Sequence, residues 1–347
     1  MRFGLTWHEN NRTGATGYVG GEVLHRIVAS ATSKHQIACL VRDAEKELVV
    51  RKAFPDVRVV RGDLDDTSLI ETESRNADIV FHLASTNHDR SAAAITKGLG
   101  DASRSSPGYW IQISGASMFS GPDIKEGRYG EPGSKIYDDL KDTVEIRSII
   151  TENPKRVVDN LVLAQDPSKI KTALVVGPLI YGVGRGPVNT RSIQAPEIAR
   201  ITLQQRQGFR LGAGLSCWSN IHSHDLSSLF LALLDAAVDG RSGLWNEDGI
   251  YLPENGKMAF GELSAQIAKE AHAQGFLDTA SVDRTIDADE ANRLSPHGAV
   301  LWGTNAMLSS SRARANLKWH PSEPSLEDEI PAIVHDEAVR LGPARTE

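Results

Sequence analysis

The stretch "TGATGYVGGEVL" at Thr13–Leu24 constrains this chain more than any other. It places Gly14, Gly17 and Gly20 at three-residue intervals and runs into an apolar, helix-like segment, Tyr18–Val28. Glycines so spaced let the backbone turn tightly and let phosphates approach where a side chain would stand. The helix that follows turns its free N–H groups and positive dipole end toward them. A glycine pattern alone is weak evidence. One that opens an apolar helix and is followed about 20 residues on by a strand predicts a pyrophosphate-binding turn, with Gly14, Thr16, Gly17, Tyr18, Val19 and Gly20 as contact residues.

The rest of the first half fits such a turn. Ile37–Val41, Val57–Val60, Ala77–Leu83, Tyr109–Ile113 and Thr172–Val176 read as strands. Asp43–Lys52 and the region of Ala92–Leu99 read as helices between them. Strands alternating with helices mean βαβ units, and continuous apolar runs such as "IVFHLA" suit strands covered on both faces. The fold expected is α/β: a doubly wound parallel Rossmann sheet of about seven strands with a smaller C-terminal domain. Residues 1–185 form the dinucleotide-binding domain, its sheet completed by parts of 215–250, and 186–347 form mainly a substrate-binding domain. Leu226–Val238, with Asp225 at its start, and Phe260–Ala271 are further helices.

Bulk properties exclude several classes. A net charge of -7 argues against a nucleic-acid surface. No apolar run reaches the roughly 18 residues of a membrane span, and early polar residues predict no secretory leader. Two cysteines, Cys39 and Cys217, cannot form a disulfide framework and suit a reducing, cytoplasmic setting. A small-molecule partner is expected; oligomeric state is left open.

With "TGATGYVG", "VRGDLDD", "FHLAS" and "LIYGVGRGP" in this order, the chain resembles the extended and atypical short-chain dehydrogenase/reductase superfamily. That group holds NAD(P)-dependent epimerases and dehydratases and the NmrA-like proteins. The likeness covers about residues 13–190, and "NIHSHDL" and "YLPENG" carry a weaker one to about 260. One departure stands out: "MRFGLT" could be the strand entering the glycine loop, but Trp7–Thr13 intervene as an apparent insertion. The resemblance implies an oxidoreductase acting on a small or medium organic carbonyl or alcohol, or an epimerase or dehydratase. A non-catalytic NmrA-like nucleotide-binding regulator is the alternative.

The cofactor reads as NADP rather than NAD. Arg42, 22 residues after Gly20, ends the second strand, where a 2′-phosphate wants a cation and a free ribose wants an acid. Lys46 lies one turn on, and the adjacent Asp43 keeps NAD open. By the resemblance, Asp63 and Leu64 contact the adenine, Ala84 lines the ribose, and Pro178 and Ile180 lie beside the nicotinamide. His82 reads as a satisfied core histidine, and Arg185 and Asn189 as candidate substrate contacts.

The superfamily uses a tyrosine acidified by a lysine four residues later, with a serine at the end of the fifth strand. Ser114 resembles that serine, and Ser117 is a substitute. Two alignments compete for the pair. Tyr137 and Lys141 have the spacing in "YDDLK". Alternatively, a helix over "PKRVVDNLVLA", with Pro154 in its first turn, places Lys155 on the nicotinamide ribose and Thr151 where the tyrosine belongs. The second is preferred, with Tyr137 then at the pocket mouth. His222 and His224 lack a nearby third ligand in the sequence, so no metal is expected.

Overall fold

The computed structural model describes residues 2–6, 14–30 and 35–342; the Trp7–Thr13 insertion lies outside the described residues. Strands and helices alternate from the start: β1 (Arg2–Thr6), α1 (Tyr18–Ala29), β2 (Gln36–Val41), α2 (Ala44–Ala53), β3 (Arg58–Arg61), α3 (Thr67–Arg75), β4 (Ile79–His82), α4 (Asp89–Leu99) and β5 (Gly108–Gly115). Then come α5 (Gly121–Glu126), β6 (Ile136–Asp138), α6 (Thr143–Thr151), α7 (Val157–Leu163), β7 (Ile170–Gly177) and β8 (Leu179–Tyr181). The second half adds α8 (Gln194–Gln205), β9 (Phe209–Leu211), β10 (Cys217–His222), α9 (Ser223–Val238), β11 (Ile250–Tyr251), β12 (Lys257–Ala259) and α10 (Phe260–Ala273). It closes with β13 (Arg284–Ile286), α11 (Ala288–Leu294), α12 (Gly298–Gly303), β14 (Met307–Ser309), α13 (Ser311–Leu317) and α14 (Leu326–Leu341).

One seven-stranded sheet has the order β11-β7-β5-β4-β1-β2-β3, with every neighbouring pair parallel. Arg2–Thr6 of "MRFGLT" is thus an interior strand of this sheet, between β4 and β2. Chain order reverses between β1 and β4, and in such sheets ligands bind outside the strands' carboxyl ends at that crevice. Helices cover both faces, so all of β4 is buried and β5 is buried through Ser114, as their unbroken apolar runs require. α1 packs with α9 on one side and α3 with α4 on the other. Gly98 makes the second contact possible, since a Cβ there would stand 2.4 Å from the Glu71 carbonyl oxygen.

Of residues 215–250, Ile250 in β11 joins the main sheet. Cys217–His222 does not complete the main sheet: β10 pairs with β8 and β12, and the seventh strand is β11. Asp225 lies in the first turn of α9, where its charge suits the positive helix end, though it is not the cap. The Nδ1 of His222 accepts the His224 N–H there, while the Asp225 carboxylate holds the backbone N–H groups of Ser322 and Glu323. The halves also interleave, because β6 pairs with β14 near the end of the chain.

Candidate nucleotide and active site

Gly14 has φ +124°, a conformation L side chains rarely adopt, and its carbonyl accepts the Gly17 N–H at 2.6 Å. That turn delivers the chain into α1 at Gly17, whose own φ of -91° is ordinary extended backbone. A Cβ on Gly20 would lie 2.4 Å from the Gly14 carbonyl carbon, so the loop lies directly on the first helical turn. No side chain caps this helix, although Tyr18, Val19 and Gly20 are buried. An apolar helix start with uncapped N–H groups is a ready anion site. The Thr16 side chain is half-buried in the turn. The Tyr18 phenol is occupied elsewhere: it donates to the carbonyls of Tyr181 (2.8 Å) and Gly182 (2.6 Å), and burial pushes its pKa well up. Only the backbone of Tyr18 remains for a ligand, and its ring fixes the loop after β8 over the site.

Arg42 is exposed immediately after β2, at the carboxyl edge of the sheet. Its neighbour Asp43 is a helix cap: one carboxylate oxygen accepts the N–H groups of Glu45 and Lys46, both at 2.9 Å, and the Lys46 N–H bond comes first in holding its pKa down. Asp63 ends β3's turn by accepting the Asp65 N–H at 2.7 Å, and Leu64 is buried. His82 is a satisfied core histidine, bonded to Gln112 (2.6 Å) and Ser91 (3.3 Å), and Ala84 beyond it is buried. Pro178 is buried between β7 and β8, and Ile180 is half-buried on β8.

Arg185 is not positioned as a substrate contact. It is clamped by Glu22, 1% exposed on α1, through backbone and guanidinium bonds, with Ser227 donating to the same carboxylate. Burial alone would raise the Glu22 pKa, but these bonds hold it below the usual range. Asn189 is half-buried and accepts the Arg191 N–H at 3.1 Å.

The catalytic residues need the larger corrections. Tyr137 and Lys141 are not a helical pair, because Tyr137 is on strand β6. Asp138 then accepts the N–H groups of Leu140 and Lys141, making a turn that breaks any helical spacing. Tyr137 stacks on Phe119 with ring centroids 4.2 Å apart, and burial raises its pKa. Lys141 is exposed beside Asp138. Lys155 is also exposed, in the turn before α7, and its backbone N–H bonds the Asn153 side chain. The expected single helix is two: α6 ends at Thr151, and α7 begins at Val157, beyond Pro154.

Different residues face β5. The Ser114 hydroxyl donates to the buried carboxylate of Asp159 on α7 at 2.7 Å. Arg156 lies 3.6 Å from the same oxygen and donates to the Ser117 hydroxyl at 3.0 Å. Burial pushes Asp159 up to about 6 against the pull of Arg156 and Ser114. Its other oxygen, Oδ1, is buried without a hydrogen-bond partner among the described residues. A helical reading of "RVVDNLVLA" held the signal, since Asp159 shares an inward face with Val158 and Val162.

The structure does supply the third donor absent from the sequence around His222 and His224. Glu323 brings its carboxylate within 4.8 Å of their ring nitrogens. Yet with Nδ1 of His222 accepting the His224 N–H at 3.1 Å, the neutral ring carries its hydrogen on Nε2 and has no lone pair for an ion.

Comparisons with known proteins agree with this architecture. The NmrA-like family matches residues 13–103. An oxidase, ucsJ, of Acremonium sp is 36% identical over 343 residues, 95% of this chain and 97% of the relative. An uncharacterized protein of Saccharomyces cerevisiae is 20% identical over 92% of this chain and 97% of its own length. Among solved structures, a dTDP-glucose 4,6-dehydratase from Streptomyces venezuelae with NAD and TYD bound superposes with TM-score 0.65 at 16% identity, covering 96% of each chain. A UDP-glucose 4-epimerase from Thermotoga maritima gives 0.61 at 12% identity over 96% of this chain and 98% of that one. The chain belongs to the same family as the Acremonium oxidase, matches the NmrA-like family over residues 13–103, and has the fold of the dehydratase and the epimerase.

Proposed function

We propose that this protein is an NADP-dependent oxidoreductase acting on a small or medium organic carbonyl or alcohol. The observation that carries the reading is the uncapped, buried start of α1 beneath the Gly14 turn. The residues fit a dinucleotide there: free N–H groups for the pyrophosphate, and Arg42 at the end of β2 for a 2′-phosphate. Asp43 spends one oxygen on two backbone N–H groups, which favours NADP over NAD. The name of the Acremonium relative supports redox chemistry. When bound, the nicotinamide supplies or accepts a hydride. This chain's own part is to hold the dinucleotide along the carboxyl edge of β1, β2 and β4, and to present the β5 end to the substrate. Epimerisation or dehydration with a retained cofactor is a variant of the same chemistry.

A second reading, a nucleotide-binding regulator, is favoured by the lack of a tyrosine anywhere in Thr143–Leu163. Mass spectrometry of the purified protein, then a carbonyl panel with NADPH, separates the two. Bound or titratable NADP with turnover supports the enzyme. Binding without turnover across the panel supports the regulator, and no binding of either dinucleotide sinks both.

A further inference from the structure

We propose that Arg156 and Ser117 form the subsite that holds the reacting oxygen of the substrate, in the place of a tyrosine, and that Asp159 positions Arg156. This rests on the oxidoreductase reading for its chemistry, though the oxyanion subsite itself stands on geometry.

The Arg156 side chain is 12% exposed at the entry to α7 and adjoins the turn that follows β5. A guanidinium has five N–H groups. Among the described residues, one donates to Ser117, and the contact with Asp159 is ionic at 3.6 Å rather than a two-bond fork. Donors are therefore left over on a nearly buried cation. Ser117 accepts from Arg156, so its own O–H is directed away, and no acceptor for it occurs among the described residues. Two adjacent donors, one charged, at the carboxyl edge of the central strands match an oxygen on which negative charge develops. Asp159 is anchored from behind by the Ser114 hydroxyl at 2.7 Å. Its partnerless, fully buried Oδ1 has a desolvation cost that a purely structural carboxylate would normally avoid through a second donor. Here Asp159 fixes the guanidinium without consuming its fork.

In the reducing direction, the carbonyl carbon gains a hydride with its two electrons from the reduced nicotinamide. The carbon–oxygen π bond breaks, and its electron pair stays on the oxygen against Arg156 and Ser117. That oxygen then takes one proton from water. Oxidation of the alcohol runs the same exchange backwards.

The probe is formate, an oxygen pair of carbonyl size, titrated calorimetrically into the full chain at constant ionic strength. We expect 1:1 binding, weakened at least tenfold in Arg156→Gln and less in Arg156→Lys, with Tyr137→Phe and Lys141→Met like wild type. Asp159 is faced by Ser114 from β5 and by Arg156, and these, after burial, set its pKa of about 6. Formate binding in wild type should therefore tighten as pH falls from 8 to 5.5, as the competing negative charge is removed. In Asp159→Asn it should be tight and nearly flat over that range. Turnover should fall at least about 100-fold in Arg156→Gln and stay within about threefold in Tyr137→Phe. Formate binding that depends on Arg156, in a protein that turns over no carbonyl, keeps the subsite and removes the enzyme reading. Unchanged formate affinity in Arg156→Gln, or the same pH profile in wild type and Asp159→Asn, overturns the proposal. So does a wild type that binds no formate, or a Tyr137→Phe variant that loses activity while Arg156→Gln keeps it.

Discussion

Replacing Gly20 with alanine tests the nucleotide loop at its tightest point. The added methyl would lie 2.4 Å from the Gly14 carbonyl carbon, 2.5 Å from its oxygen and 2.6 Å from its Cα. Ordinary carbon contacts are about 3.5–4 Å, so the intrusion is about 1 Å and falls on backbone that cannot swing aside. Gly14 is itself at φ +124°, which limits how far the turn can reshape. Overpacking of this kind costs about 1–3 kcal/mol of stability, read as a lower urea midpoint. A loop displaced by about 1 Å also loses at least one charge-assisted N–H bond to phosphate, about 1.5–3 kcal/mol. NADPH should therefore bind roughly 10- to 100-fold more weakly by fluorescence titration. Gly121→Ala is the control: no atom lies within 4 Å of its added methyl, so both readouts should stay near wild type. A folded Gly20→Ala protein with NADPH affinity within threefold of wild type would refute the reasoning.

Other substitutions address separate parts of the account. Arg42→Asp should weaken NADP binding by about 1.5–3 kcal/mol and NAD binding less; equal losses in parallel titrations would remove Arg42 from the 2′-phosphate. Tyr18→Phe strips a donor from the buried carbonyls of Tyr181 and Gly182 and should cost about 1–3 kcal/mol in urea unfolding; a cost under about 0.5 kcal/mol counts against that bracing role. Lys155→Met should leave the NADPH dissociation constant within about twofold, since the side chain is exposed; a tenfold rise would restore it to the ribose. Asp139 is pushed up to about 6, mainly by burial, and accepts the N–H groups of Leu252 and Arg312. Its folded pKa lies above the unfolded value of about 3.9, so its contribution favours folding at low pH and is lost as pH rises from about 4 through 6. The cost of Asp139→Asn in urea should accordingly be larger at pH 4.5 than at pH 8; a constant or growing cost would contradict the assignment.

What was legible in the sequence was what local physics dictates. Gly14 and Gly20 announce themselves because a turn with positive φ and a helix packed on backbone admit almost no other residue. The strands were readable because a sheet covered on both faces demands unbroken apolar runs, as in Ile79–His82. The Tyr137–Lys141 spacing was misleading, because an i,i+4 spacing signals chemistry only on a helix. Tyr137 is held on a strand by β14, some 170 residues away in sequence, and its following turn is made by Asp138. Arg156 and Asp159 were hidden for a related reason. A charged residue on a short helix reads as solvated until the packing of α7 against β5 and β7 turns it inward. Asp225 was placed at the correct helix start, but the backbone it holds was hidden, since the segment at Ser322–Glu323 returns from nearly 100 residues later.

The central claim is that the α1 N-terminus and Arg42 hold a phosphorylated dinucleotide, and paired calorimetric titrations of NADPH and NADH into the full-length protein test it most directly. The account predicts one site per chain, with NADPH bound at least tenfold more tightly than NADH and the difference largely lost in Arg42→Asp. Binding of neither nucleotide to the folded protein would contradict it.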